Sequence, residues 1–153
     1  MEKMDTFALI GQLLDAADLK YNADEDKRLF WFSMKGDPIS AHFLIRADEE
    51  GQSMEFICST NFYMPEVRRV EGALAVCAIS HTLPAGDLEY DITDGSVVLR
   101  RFVPIKNRTF DEKFLRATIA HMHAVMESVH TRMTAVGEGL LTVSELLNKM
   151  NGE

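Results

Sequence analysis

Three side chains that could bind a metal ion, those of His123, Glu127 and His130, follow one another at spacings of four and three residues. On a helix these spacings place all three on one face. The two histidines are then about 10 Å apart along the axis, because each residue rises about 1.5 Å, and one zinc ion cannot reach both. We therefore predict a polar, solvated helix face here and no metal site.

The two cysteines are the strongest nucleophiles of the chain, and both lie in apolar segments. Cys58 falls in a strand-like segment and Cys77 in a helix-like one, which predicts two buried, reduced thiols. His42 and His81 could act as bases, but the motifs Gly-x-Ser-x-Gly, Cys-x-x-Cys and His-Glu-x-x-His are absent. The sequence therefore predicts no catalytic residues, no cofactor and no enzyme activity.

Four carboxylates, those of Asp87, Glu89, Asp91 and Asp94, lie close together in a segment with the pattern of a β-hairpin. They could bind a hard cation, but their spacing is not that of a calcium-binding loop. Solvation and cross-strand pairing with Arg100 are predicted instead.

The hairpin itself, residues 87–105, is the clearest structural signal of the chain. Asp94 and Gly95 tolerate positive φ angles and predict a two-residue turn, which places Tyr90 opposite Leu99. One face of the hairpin is then apolar and the other mostly polar, as in a sheet that is covered on one side. The apolar face carries Leu88, Tyr90, Ile92, Val97 and Leu99.

The remaining pattern predicts an α+β fold with the order α-β-β-β-α-β-β-α and an extra short C-terminal helix. Helices cover a mainly antiparallel five-stranded sheet. Capping boxes at 109–112 and 142–145 start the last two helices. The predicted helices are 4–19, 65–80, 109–136 and 142–150, and the strands before the hairpin are 27–35, 39–47 and 53–59.

Composition limits the class of protein. At 153 residues, with 46 % hydrophobic and 26 % charged residues, the chain is expected to form a single globular domain spanning 1–153. The net charge of −8 argues against nucleic acid or anionic lipid as a partner. The charged N-terminal residues and the lack of an apolar run of about 20 residues predict a cytoplasmic protein without membrane insertion.

An apolar stripe along the third helix repeats at alternating spacings of four and three residues. Its methionines, Met122, Met126 and Met133, are candidates for a peptide-binding groove, because unbranched thioethers adapt to different partners. The alternative, which we favour, is that the stripe covers the sheet. The members of the stripe are Leu115, Ile119, Met122, Met126, Val129, Met133 and Val136.

The second predicted helix has no polar side over residues 72–79. A helix on a sheet needs only one apolar face, so the other face requires another helix of the chain or a second copy. We favour a second copy and predict a homodimer, because small residues permit close helix approach. The predicted interface residues are Gly72, Ala75, Val76 and Ile79.

With this order of elements, the hairpin sequence Tyr-Asp-x-x-Asp-Gly-x-Val-x-Leu-Arg, its Val-Pro exit and the long helix after it resemble the YbjN-like family. These are small bacterial proteins described as sensory transduction regulators, with a fold similar to that of class I type III secretion chaperones. The resemblance covers residues 7–136. It implies a dimeric protein-interaction module that has no catalytic residues and no established cofactor.

The function predicted from these observations is non-enzymatic binding of another polypeptide, either chaperone-like or regulatory. The alternative is a small-molecule sensor with a pocket between the methionine-rich helix and the aromatic residues Phe30, Trp31 and Phe32. An unrecognised small enzyme is the third interpretation.

Overall fold

The predicted hairpin forms one end of an antiparallel sheet of six strands. The structure is a computed structural model that describes residues 5–105 and 110–152. The order across the sheet is β1-β2-β3-β4-β6-β5, so the α+β class is confirmed. The strands are β1 (Asn22–Asp24), β2 (Leu29–Met34), β3 (Ala41–Ala47), β4 (Ser53–Tyr63), β5 (Asp87–Asp91) and β6 (Ser96–Pro104). The described helices are α1 (Thr6–Ala16), α2 (Arg69–Ser80), α3 (Glu112–Gly137) and α4 (Val143–Met150), with a 3-10 turn at Glu66–Arg68.

The sequence predicts five strands, and β1 is the strand that it misses. The segment Asn-Ala-Asp has no apolar alternation, so no period-two pattern marks it. It pairs with β2 because the chain turns back at Arg28, whose φ is +54°, and the amide of Lys27 donates to the Asp24 carboxylate. The observed order, α-β-β-β-β-α-β-β-α-α, corrects the prediction.

The turn between β5 and β6 is longer than predicted. Tyr90 pairs with Val97 rather than with Leu99, so four residues, 92–95, form the turn. Because the register differs by two residues, the paired side chains keep their predicted faces. Ile92 is the exception, since it lies in the turn and is 52 % exposed.

Two other boundaries differ from the prediction. β4 continues to Tyr63, four residues beyond the predicted end, and its register with β6 shifts between Ser59 and Tyr63. Such an irregularity bends a strand. The first helix ends at Ala16 instead of residue 19, because Asp18 adopts a φ of +55°.

The last two helices, α3 and α4, begin at side-chain caps. Asp111 caps α3, because its carboxylate accepts a hydrogen bond from the amide of Phe114 over 2.8 Å. The predicted capping box begins at Thr109, which lies outside the described residues. The second box is confirmed: Thr142 and Glu145 each accept the other's backbone N–H at the start of α4.

The two faces of the sheet have different surroundings. α1 and α3 cover one face, the inner face, where Phe7 of α1 stacks on Phe30 of β2 with ring centroids 4.4 Å apart. The opposite face, the outer face, carries no helix among the described residues. The large buried side chains of the inner face include Phe30, Phe32, Phe43, Ile45, Met54, Phe56 and Leu99.

Candidate functional site

The methionines of α3 belong to the core. Met122, Met126 and Met133 are each at most 1 % exposed, because α3 turns its apolar stripe toward the inner face along its length. A buried thioether has no surface to offer a peptide, so the assignment of these three residues to a peptide-binding groove is corrected. The alternative interpretation, in which the stripe covers the sheet, agrees with this burial.

The predicted dimer residues of α2 also face the interior of their own chain. Gly72, Ala75, Val76 and Ile79 are buried where α2 packs against α3, α4 and β5. A Cβ added at Gly72 would lie 2.6 Å from the hydroxyl oxygen of Tyr90. The small residues of α2 therefore admit neighbouring elements of the same chain, and this interface assignment is corrected.

The opposite side of α2 is apolar and exposed. Its residues, here named the α2 stripe, repeat at spacings of three, four and three. Val70 is 68 % and Leu74 is 56 % exposed, and Cys77 is exposed as well. The run 72–79 is apolar on all sides, so it does not show which side of the helix faces outward. Val67 and Val70, which precede the run, extend the apolar surface on one side only. The α2 stripe consists of Val67, Val70, Leu74 and Cys77.

The outer face of the sheet carries a second apolar surface. Trp31 of β2 pairs with Leu44 of β3, which pairs with Ile57 of β4. Arg100 of β6 lies opposite Ile57, and Val98 is the diagonal neighbour of Ile57, two residues along β6 from Arg100. Trp31 is 43 % exposed, and Leu44, Ile57 and Val98 are partly exposed. We call these four apolar residues the apolar track. Sequence analysis named only Trp31, although strand alternation could have separated the track from the inner residues.

Charged side chains surround the track. Arg100 of β6 donates to the carboxylates of Glu55 and Glu89, and Arg46 lies 3.6 Å from Glu55. The hydrogen bonds that Arg100 donates, first to Glu89 and also to Glu55, hold the pKa of Arg100 above its usual value. The predicted cross-strand pairing of hairpin carboxylates with Arg100 is confirmed through Glu89, although Asp87 and not Glu89 lies directly opposite Arg100. Because such exposed pairs contribute about 0–1 kcal/mol each, they orient side chains more than they stabilise the fold.

An open hollow of about 530 Å³ lies at the edge of the outer face, beside the β5–β6 turn. The carboxylates of Glu89 and Asp91 line it together with the apolar side chains of Ile92 and Val98. It therefore combines negative charge with apolar walls. A lysine or arginine side chain has a complementary form, since its charged end follows an aliphatic stem.

A serine and a histidine form a close pair on the outer face. The Ser33 hydroxyl lies 2.7 Å from Nδ1 of His42, its cross-strand partner. This is the distance between a nucleophile and its base, and the sequence analysis did not identify Ser33. Among the described residues no carboxylate bonds to the His42 ring, and the pair lies on an open sheet surface. The arrangement therefore lacks the third group that orients a catalytic base.

The helix face predicted to be solvated is partly buried. His130 lies against the sheet, where its Nδ1 is 3.0 Å from the Thr60 hydroxyl and its ring meets Phe62 edge-on. Burial lowers the pKa of His130. His123 packs against the loop at Gly36, with its Nε2 buried.

The two cysteines differ in their surroundings. Cys58 is buried in the inner face, and burial raises the pKa of its thiol to about 12. Cys77 is exposed, which corrects the prediction of two buried thiols. Within residues 5–105 and 110–152, no group of three or more histidine, cysteine, aspartate or glutamate side chains is arranged to hold a metal ion.

The aromatic residues assigned to a small-molecule pocket do not share a surface. Phe30 and Phe32 are buried in the inner face, whereas Trp31 points to the outer face. Successive residues of a strand alternate between faces, so the three side chains cannot line one pocket. The sensor pocket predicted from the sequence is therefore corrected.

None of the helices in the described part of the chain is long and apolar enough to span a membrane. The architecture is thus a sheet with helices on its inner face, an exposed apolar stripe on α2 and an uncovered outer face.

A scan against protein-family models finds no match to this chain, and a search of curated proteins finds no match either.

Proposed function

We propose that this protein is a non-enzymatic, cytoplasmic binding module that holds or senses another polypeptide on the outer face of its sheet. The observation that carries this proposal is the apolar track, in which Trp31 is 43 % exposed. Contiguous apolar side chains on a protein surface characterise sites that bind other proteins. The action of the module is chaperone-like or regulatory.

The proposal includes membership of the YbjN-like family and an architecture of the class I secretion chaperone type. It is supported by the hairpin sequence from Tyr90 to Arg100 and by long helix α3 lying on an antiparallel sheet.

The proposal further includes a homodimer formed through the α2 stripe. Val70 and Leu74 are more than half exposed, and their spacing suits packing against a second helix. The stripe lies on the side of α2 opposite to the buried Ala75 and Ile79. A twofold axis would place two copies of the same stripe against each other.

The proposed binding function can be tested with reduced insulin, whose free B chain aggregates and scatters light. The full-length protein should suppress this scattering. The double variant Leu44→Lys with Ile57→Lys should lose the suppression, and so should Trp31→Lys, because charge on the track removes its apolar surface. Each variant should keep a cooperative thermal transition.

Leu140→Lys is the matched control, because Leu140 is a 73 % exposed apolar residue outside the outer face. It should suppress scattering as well as the wild type does. Equal suppression by the track variants and the wild type would contradict the proposal.

A further inference from the structure

The apolar track runs across the strands rather than along them. On β3 the outer-face neighbours of Leu44 are His42 and Arg46, and on β4 those of Ile57 are Glu55 and Ser59. An apolar partner that followed β3 or β4 would therefore meet polar groups two residues on either side of Leu44 or Ile57. One that crosses the strands meets Trp31, Leu44 and Ile57 in turn. On β6 it reaches Val98 diagonally, beside Arg100, which lies directly opposite Ile57.

The spacing of the track distinguishes a helical partner from an extended one. Neighbouring strands lie about 4.8 Å apart, so Trp31, Leu44 and Ile57 follow one another at about that interval. Side chains three or four residues apart on a helix are about 5–6 Å apart. Alternate side chains of an extended chain are about 6.7 Å apart. The side-chain spacing of a helix is the closer match to the spacing of the track. The mismatch that accumulates over successive contacts is therefore smaller for a helix than for an extended chain.

One end of the track carries two carboxylates, those of Glu89 and Asp91. Val98, the last residue of the track, lines the hollow that also contains the carboxylates of Glu89 and Asp91. Glu89 is bound by Arg100, whereas Asp91 accepts hydrogen bonds from Thr93 and carries its charge into the hollow. The protein as a whole has a net charge of −8, which adds to the attraction of a basic group.

We infer that the outer face binds an amphipathic helix of a partner protein, lying across β2, β3, β4 and β6. Its apolar side chains contact the apolar track, and a lysine or arginine near one end enters the hollow between Glu89 and Asp91. This inference rests on the proposed polypeptide-binding function and adds the conformation and the charge of the bound segment.

The test is a selection from random displayed peptides of roughly 18 residues, about five helical turns. The full-length protein is the target, and peptides that also bind the Leu44→Lys with Ile57→Lys variant are removed. The expected result is enrichment of apolar residues at helical spacings of three and four, with lysine or arginine near one end. A selected peptide should shift the fluorescence of Trp31, which is the only tryptophan of the chain.

The acidic end is tested with the same peptide. The double variant Glu89→Gln with Asp91→Asn should weaken its binding about fivefold, as for a partly exposed ion pair. Replacing the basic residue of the peptide by glutamine should give a similar loss, and combining both changes should add little more. Glu25→Gln, at an exposed position in the turn between β1 and β2, is the matched control and should leave the affinity unchanged.

The outcomes separate this inference from the function on which it rests. Enrichment of alternating apolar residues, or of peptides whose binding ignores Glu89 and Asp91, would overturn the helical, basic partner and leave polypeptide binding intact. If no peptide remains once those that bind the Leu44→Lys with Ile57→Lys variant are removed, both the inference and the proposed function fail.

Discussion

The hydroxyl of Tyr90 donates a hydrogen bond to the carbonyl oxygen of Arg69 over 2.8 Å, which joins strand β5 to the first turn of α2. Arg69 in turn donates to the carbonyl oxygens of Thr93 and Met64. The start of α2 is thereby fixed to the hairpin by bonds in both directions. This connection sets which side of α2 faces the interior.

Tyr90→Phe should lower the free energy of unfolding by about 0.5–1.5 kcal/mol, the usual contribution of one hydrogen bond. The ring stays in place and only the hydroxyl is lost. Urea denaturation followed by circular dichroism measures the change. Tyr63→Phe is the control, since Tyr63 is 62 % exposed and should change stability little. Equal effects of the two substitutions would contradict the role assigned to the Tyr90 bond.

Gly95→Ala should destabilise the protein by about 2–4 kcal/mol, from the left-handed backbone and from overpacking together. Gly95 has a φ of +78°, and an added Cβ would lie 2.5 Å from the carbonyl oxygen of Met64. Gly152→Ala isolates the backbone effect, because Gly152 has a φ of +80° and nothing within 4 Å of the added Cβ. Thermal unfolding measures the loss of stability in each variant. The two losses should be equal if Met64 does not restrict the side chain at position 95.

Leu74→Glu should convert a dimer to a monomer without unfolding it, because Leu74 is exposed on the α2 stripe. Ala75→Glu should instead disrupt the fold, since Ala75 is buried and its environment cannot hydrate a carboxylate. Sedimentation equilibrium gives the mass, and circular dichroism gives the folded fraction. A wild type that is monomeric at high micromolar concentration would contradict the proposed homodimer.

Met126→Gln should lower the free energy of unfolding by about 2–5 kcal/mol, because it places a polar amide in the core. Met126 is 1 % exposed and lies in the middle of the α3 stripe. Val70→Gln, on the exposed α2 stripe, is the control and should change monomer stability little. If the Met126 variant is as stable as the control in chemical denaturation, the apolar stripe of α3 is not part of the structural core.

The stability of the protein should fall as the pH drops below about 6.5. Burial lowers the pKa of His130 in the folded state, whereas the unfolded chain titrates near the ordinary value of 6.5. Below that pH the unfolded state therefore binds more protons, which favours unfolding until the folded pKa is also passed. His130→Gln should reduce this pH dependence and His121→Gln, at an exposed position, should not. Urea denaturation between pH 8 and pH 5 provides the comparison.

The sequence predicts best where periodicity and burial coincide. The stripe from Leu115 to Val136 lies on the core as its spacing of four and three indicates, and the cap at Thr142 forms with Glu145. β1 was not predicted, because its pairing depends on the turn at Arg28 and not on any pattern of its own residues.

The candidate site was less accessible from the sequence. The apolar track takes one residue from each of four strands, so it exists only once the register aligns Trp31 with Leu44 and Ile57. The orientation of α2 likewise depends on Tyr90 and Met64 packing against Gly72. Neither relationship is local in sequence. Periodicity within one strand can show which side chains face outward, but it does not show which of them align with those of neighbouring strands.

The two edges of the sheet limit self-association through the backbone. β1 has only three residues, and the outward side chains of β5 include the carboxylates of Asp87, Glu89 and Asp91. Short edges and repeated like charge both oppose the addition of an identical strand from another molecule. Growth of the sheet into fibrils by edge-to-edge pairing is therefore disfavoured at both borders, even though the outer face is apolar in part.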